Sequence, residues 1–469
     1  MFRGSAWLAR LALGTAALGC LGCAGVIIVS GRLSAMSTVS AVAVMAVLVA
    51  TALASGGAAL LVHANGVRRI ALELIAFAVA LLAADVLVRI VAPEPASIME
   101  GRVVDAAKLD VPFDGRTKSE VVADLRAHGK DALPGISREW PRLPYIRQQL
   151  PDGLFPLSHA SNAAVVECNE SGRYLVYHTD ELGFNNPPGL IRGHNVQVAA
   201  VGASFTLGHC VPDGQGLVAR LRQFYPQLAD FGMAGSSAVS MLASFREYVE
   251  PLRPPIVLWI MHPLTADTRD EMADPILRRY LEPDFSQHLL QHVEEIDQAW
   301  RNVAVGAQYE LDYRVRVMTR TVRKQKFSGI LTLSALRWRL HLNERLAKPE
   351  PPPDLGPFQQ IIALAQHTTQ SWGGRFIVVI VPLYAEVVAH DLPEPLHHDR
   401  LAALLRGMRV EVIDTVPAFL AAPDPEGLYV MRRNNHPTPQ GHELLARYVI
   451  EQMQGKPVAA TLAASRGQK

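Results

Sequence analysis

From residue 196 onward, short apolar runs at 196–201, 255–261, 376–381 and 410–413 recur between stretches of helical periodicity at 216–224, 241–252 and 358–372. Runs that short suit strands buried on both faces, and strands alternating with helices close into a parallel sheet covered on both sides. In such sheets ligand sites lie beyond the carboxyl ends of the strands. The first run ends at Gly202-Ala203-Ser204-Phe205-Thr206, which sets a serine in the turn between a buried strand and the next helix. A hydroxyl there is exposed, and the backbone N–H beside it lacks an internal helical partner. Far downstream, Asn434-Asn435-His436-Pro437-Thr438-Pro439-Gln440-Gly441-His442 precedes a helical pattern at 443–453, so a fold of this class can return a histidine to the serine.

The N-terminal fifth has a different character. Charged residues are absent from 11–31 and 33–62, and 70–88 holds only Glu73 and Asp85. A helix needs about 20 apolar residues to span a bilayer, and these segments predict three membrane helices at about 11–31, 35–62 and 70–91. The middle one is rich in Ala, Ser, Thr and Gly, which permits close helix packing in lipid. Arg3 and Arg10 precede the first span and Arg68 and Arg69 separate the second from the third, whereas the first loop carries only Arg32. The positive-inside rule then puts the N-terminus in the cytoplasm and everything after residue 93 outside. The 45 basic and 44 acidic residues give no reason to expect a nucleic-acid partner.

The exported part divides into a proline-punctuated stalk or wrapping segment at 93–194, an α/β domain at 195–455 and a short tail at 456–469. Within the domain, the alternation lapses over about 270–355 into charged, helix-compatible sequence, read as a helical insertion. Arg314, Arg316, Arg320, Arg323, Lys324 and Lys326 cluster there, most simply as a solvated helix face. The spacing of potential ligands suggests neither a metal site nor a phosphate-binding loop, and no cofactor is expected.

Four separated blocks resemble the SGNH/GDSL hydrolase superfamily, specifically its membrane-anchored bacterial members. Gly202-Ala203-Ser204-Phe205-Thr206-Leu207-Gly208 is similar to the nucleophile block, with Ala203 where the family has aspartate. Phe231-Gly232-Met233-Ala234-Gly235-Ser236 is similar to the second block, the apolar run before Met261-His262-Pro263-Leu264-Thr265 leads into the third, and His436-Pro437 with Gly441-His442 matches the last. Upstream, Thr179-Asp180-Glu181-Leu182-Gly183-Phe184-Asn185-Asn186 also resembles a segment of anchored members. The resemblance implies a flavodoxin-like three-layer α/β/α parallel sheet behind the N-terminal transmembrane helices.

It also implies roles. Ser204 is the nucleophile and His436 its base, since a serine hydroxyl is weak until a neighbouring base takes its proton. The N–H groups of Ser204 and Gly235 form the oxyanion hole. Thr265 falls nearest the family's third-block asparagine and is the expected side-chain oxyanion donor, with His262 the alternative. The acid usual two or three residues before the histidine is replaced by Asn434 or Arg433; Asn434 is the expected orienting group, and Asp414 a less favoured acid. Cys168 and Cys210 lie in the exported part, where an oxidising compartment allows a bridge pinning the upstream segment to the nucleophile loop; the alternative is two separate buried cysteines. The expected function is a Ser–His esterase or O-acyltransferase on the periplasmic face of a bacterial inner membrane. Its substrate would be acylated envelope polysaccharide or lipid, and envelope polysaccharide assembly proteins its partners. The alternative is a catalytically inactive SGNH-fold protein for glycan binding or envelope assembly.

Overall fold

The computed structural model describes residues 77–88, 98–137, 147–148, 150, 154–193, 195–303, 333, 351–390 and 392–455. The chain forms two compact units, one of residues 1–101 and 315–350, the other of residues 102–314 and 351–469. The expected spans at 11–31 and 35–62 and both ends of that at 70–91, residues 70–76 and 89–91, lie outside the described residues, as do the basic cluster at 314–326 and the tail at 456–469. Among the described residues no helix is long and apolar enough to cross a membrane; the described part of the third expected span, 77–88, is helical.

The larger unit is built on five parallel strands: β4 (Val198–Gly202), β5 (Leu228–Gly232), β6 (Ile256–Met261), β7 (Arg375–Ile380) and β8 (Glu411–Asp414), in the order β5-β4-β6-β7-β8. That is the flavodoxin-like order, with its switch point between β4 and β6. Four of the five strands lie where the apolar runs predict. β5 does not announce itself, because Leu228-Ala229-Asp230-Phe231-Gly232 mixes apolar residues with two poor strand formers. It is a strand through full pairing with β4, from Val198 opposite Leu228 to Gly202 opposite Gly232.

Helices Gly356–Ser371, His398–Gly407 and Pro439–Met453 each bury one face, with Phe358, Ile361, Ile362 and Ala365 sealing the first of them. The lapse in alternation after β6 is organised by buried carboxylates. Glu271 accepts from Ser237 Oγ and from the Ser240 N–H and Oγ. Glu247 accepts from Tyr280 Oη, Ser286 Oγ and the N–H groups of Gln287 and Leu289. A buried carboxylate must be hydrogen-bonded to be tolerated, so these two tie the short helical turns of this region to the helix that follows β5.

The stretch between Arg102 and residue 193 belongs to the same compact unit as the large sheet. It carries a helix, Lys118–Ala127, closed by a reciprocal Thr117–Glu120 capping box. It also makes a second sheet of β1 (Ala132–Pro134), β2 (Ala164–Val166) and β3 (Val176–His178), with β2 parallel to β1 and antiparallel to β3. The block Thr179–Asn186 clasps this small sheet to the large one. Asp180 accepts from the Leu182 and Phe184 N–H groups and from Asn186 Nδ2, while Asn186 Oδ1 accepts from the Asp230 N–H at 2.7 Å in β5.

Candidate active site

β4 and β5 end in register at Gly202 and Gly232, and both glycines are obligatory for steric reasons. A Cβ on Gly232 would sit 2.7 Å from Thr206 Cβ and 2.8 Å from the Leu207 N atom. Their absence lets the short helix Ser204–Leu207 lie directly on the strand ends, with Ala203 at its N-cap and Gly208 closing it in the left-handed region.

Ser204 is buried except for a small opening, and its Oγ donates to His436 Nε2 at 3.1 Å. On the other side of the ring, His436 Nδ1 donates to Glu170 Oε2 at 2.7 Å. An ionised carboxylate only accepts, so it fixes the tautomer with hydrogen on Nδ1 and the lone pair of Nε2 facing the serine. The three groups form a Ser–His–acid relay whose acid is neither Asn434 nor Asp414.

Both of those residues have other work. Asn434 Nδ2 donates to Glu170 Oε2 at 2.8 Å and its Oδ1 accepts from the His436 backbone N–H at 3.0 Å. It therefore braces the acid and the loop, not the imidazole. Asp414 instead pairs with His398 at 2.7 Å. Arg433 turns away to Asp105 at 2.7 Å.

Glu170 lies in the connection between β2 and β3, which is cinched by Glu167 N–H to Leu175 O, Leu175 N–H to Cys168 O and Gly172 N–H to Asn169 O. Gly172 has φ +94° and packs against the Pro112 carbonyl, so no other residue fits there without strain. Burial acts to raise the Glu170 pKa. The His436 hydrogen bond and the nearby charges of His436, Arg102 and His209 outweigh it and hold the carboxyl at about 2. The base itself is pulled below the ordinary histidine range by burial, against the raising effect of Glu170 and with a further lowering by His209 and Arg102.

Cys168 and Cys210 form a disulfide, with their Cα atoms 5.3 Å apart. The bridge joins the acid's loop to the residue six positions beyond Ser204, and Cys210 Sγ lies 3.2 Å from Glu170 Oε2 and 3.6 Å from His436 Nδ1. Two clusters of metal-ligand residue types lie here, Cys168–His209–Cys210 and Glu170–Cys210–His436. Each depends on a cystine sulfur, which cannot become the thiolate a metal needs. Beside the relay runs a second acid–imidazole pair, His209 Nε2 to Glu167 Oε2 at 3.3 Å, with the His209 and His436 rings edge to face at 5.1 Å.

Of the expected oxyanion donors, the two that remain free are backbone N–H groups. Gly235 sits at φ +78° in the turn that leaves β5, is exposed, and its N–H, like that of Ser204, meets no hydrogen-bond acceptor among the described residues. Thr265 is buried and its Oγ donates to the His262 carbonyl at 2.7 Å, so its proton is spent holding the turn after β6. His262 packs against Phe205 at 5.5 Å between ring centroids, and burial pushes its pKa down to about 3. His442 is wholly buried in the helix after His436, and neither ring nitrogen has a partner among the described residues. It packs rather than reacts.

The sequence pointed to Ser204, His436 and the cysteine pair, which the fold brings together, and missed Glu170. A usable signal was present, because Glu170 stands two residues from Cys168. A bridge reaching the nucleophile loop brings its neighbours to the histidine.

No protein-family profile and no curated protein sequence matches the chain. Among solved structures it is similar to a lipolytic protein of the G-D-S-L family from Desulfitobacterium hafniense DCB-2, at 15% identity and TM-score 0.31 over 54% of this chain and 98% of that one. It is also similar to a lipase/acylhydrolase from Enterococcus faecalis, at 11% identity and TM-score 0.32 over 55% and 95% of the two chains. A G-D-S-L family member from Veillonella parvula DSM 2008 is similar at 12% identity and TM-score 0.30, over 54% and 96%.

Proposed function

We propose that the protein is a membrane-anchored, extracytoplasmic serine esterase or O-acyltransferase acting on acyl esters of envelope polysaccharide or lipid. The observation that carries the chemistry is the unbroken relay from Ser204 Oγ through His436 to Glu170, at 3.1 Å and 2.7 Å. Ser204 Oγ attacks the ester carbonyl carbon as its proton passes to His436 Nε2. Glu170 stabilises the imidazolium, and the Ser204 and Gly235 N–H groups take the oxyanion. Collapse of the tetrahedral intermediate breaks the ester C–O bond, and His436 returns the proton to the leaving alcohol. Water or a sugar hydroxyl then attacks the acyl-enzyme by the same steps in reverse. The absent local acid that motivates a non-catalytic reading is supplied by Glu170. The envelope substrate rests on the three expected spans and the charge asymmetry of their loops.

The test is labelling of the full chain with a fluorophosphonate probe, Ser204→Ala serving as control. Labelling of wild type that disappears in the variant is expected. Labelling that survives the substitution refutes the assignment, and a folded wild type that does not label refutes the activity.

A further inference from the structure

Glu170 uses its two oxygens for different purposes. Oε2 takes His436 Nδ1 and Asn434 Nδ2 at 2.7 and 2.8 Å, and Oε1 takes Arg102 Nη2 at 2.5 Å. The other arm of the guanidinium, Nη1, donates to Asn169 Oδ1 at 3.3 Å, and Asn169 Nδ2 donates to the Asp114 carbonyl at 3.0 Å. A planar fork that engages two adjacent residues of one loop fixes the loop's rotation as well as its charge, which a single ammonium cannot do. Arg102 stands in the helix Ile98–Lys108, and one turn along the same helix Asp105 binds Arg433 Nη1 at 2.7 Å, three residues before His436. One helix therefore grips both the acid's loop and the base's loop.

We infer that Arg102 is a positioning residue for the acid–base pair, holding Glu170 by its far oxygen so that the near one faces His436. The inference rests on the serine-hydrolase reading above. The charged or titratable groups that bear on His436 are Glu170, Arg102 and His209, and the latter has Glu167 on its own far side. His262 and His442, both kept neutral by burial, also sense its charge. Of the three, only Glu170 favours the imidazolium, and the positive charge of Arg102 opposes it. Removing Arg102 lifts that opposition but frees Glu170, whose hydrogen bond to His436 is the larger effect, so the His436 pKa falls and the base is deprotonated at lower pH.

The experiment is the pH dependence of the fluorophosphonate labelling rate in full-length wild type, Arg102→Gln and Arg102→Lys, with folding followed by thermal melting. In Arg102→Gln the rate is expected to fall about 10- to 100-fold, and the acid limb to move down by about half a pH unit. Arg102→Lys keeps a charge on Glu170 without the fork, so both its limb and its rate fall between the two. An Arg102→Gln protein with the wild-type rate and limb overturns the inference. So does one whose rate falls with an unmoved limb, which is the mark of structural damage alone. If Arg102→Gln does not fold, Arg102→Lys decides: a wild-type rate there overturns the fork. A wild type that fails to label at any pH is the distinct outcome that removes the serine-hydrolase reading, and this inference with it.

Discussion

Glu170 and Asn434 share a duty that one residue near the histidine usually discharges. The carboxylate supplies charge and tautomer control, and the amide ties that carboxylate to the His436 backbone. Glu170→Gln keeps the shape and removes the charge, and the labelling rate should fall by about 10³–10⁴-fold. Because Glu170 raises the pKa of His436, its loss lowers that pKa, so the acid limb should move down in pH while the plateau collapses. Arg102→Gln moves the limb the same way by less, and one titration series checks both. A residue outside the relay supplies a stability test. His442 is buried with both nitrogens unpartnered among the described residues, and burial, then the charges of His436 and Arg220, hold its pKa at about 3. The unfolded chain binds a proton here below about pH 6.5 and the folded chain does not until about pH 3, so this group's contribution is complete above pH 6.5 and is lost as pH falls. It should make the protein about 2 kcal/mol less stable at pH 5 than at pH 7. His442→Leu should melt at or above the wild-type temperature at pH 7 and lose less on acidification, as read by thermal denaturation at the two pH values.

Among the elements, the β2–β3 connection brings the most to the site and showed least in the sequence. Residues 167–175 have no periodicity, and the strands that carry them are three residues long each. Their placement depends on the Cys168–Cys210 bridge, on Gly172 in the left-handed region and on the Arg102 fork. The bridge closes a sequence separation of 42 residues, for which loop-closure entropy gives about 4 kcal/mol. Replacing both cysteines by serine should lower the unfolding free energy by about 2–4 kcal/mol and, in protein that still folds, slow labelling because Glu170 is no longer held against His436. Denaturant titration and the labelling rate of the double variant measure the two effects separately. Equal labelling rates would show that the bridge stabilises the fold without aligning the site.

At the scale of the molecule, the strand order β5-β4-β6-β7-β8 puts Ser204 at the switch point, and the connection that leads from β8 to the last helix, Pro439–Met453, carries His436 back to it. The full protein is expected to stay with the membrane fraction through carbonate extraction, and a reporter enzyme active only outside the cytoplasm should be active when fused after residue 95. Activity of a cytoplasm-specific reporter at that point would reverse the topology.

The sequence by itself determined four of the five strands of the large sheet, the strand-end serine and its histidine, because each is written as a local pattern: a short apolar run, a turn motif, a block before a helix. Hydrophobic periodicity and turn chemistry act between near neighbours, so one segment is enough to read them. Only the tertiary structure decided the rest of the site. Glu170 lies 266 residues before His436 in a connection without regular structure, and Arg102 comes from a helix earlier still. Thr265 falls at the expected position, yet its hydroxyl is consumed by its own turn. Charge complementarity between distant loops has no period and no fixed spacing, and it becomes visible only when folding brings carboxylate, imidazole and guanidinium within hydrogen-bonding distance.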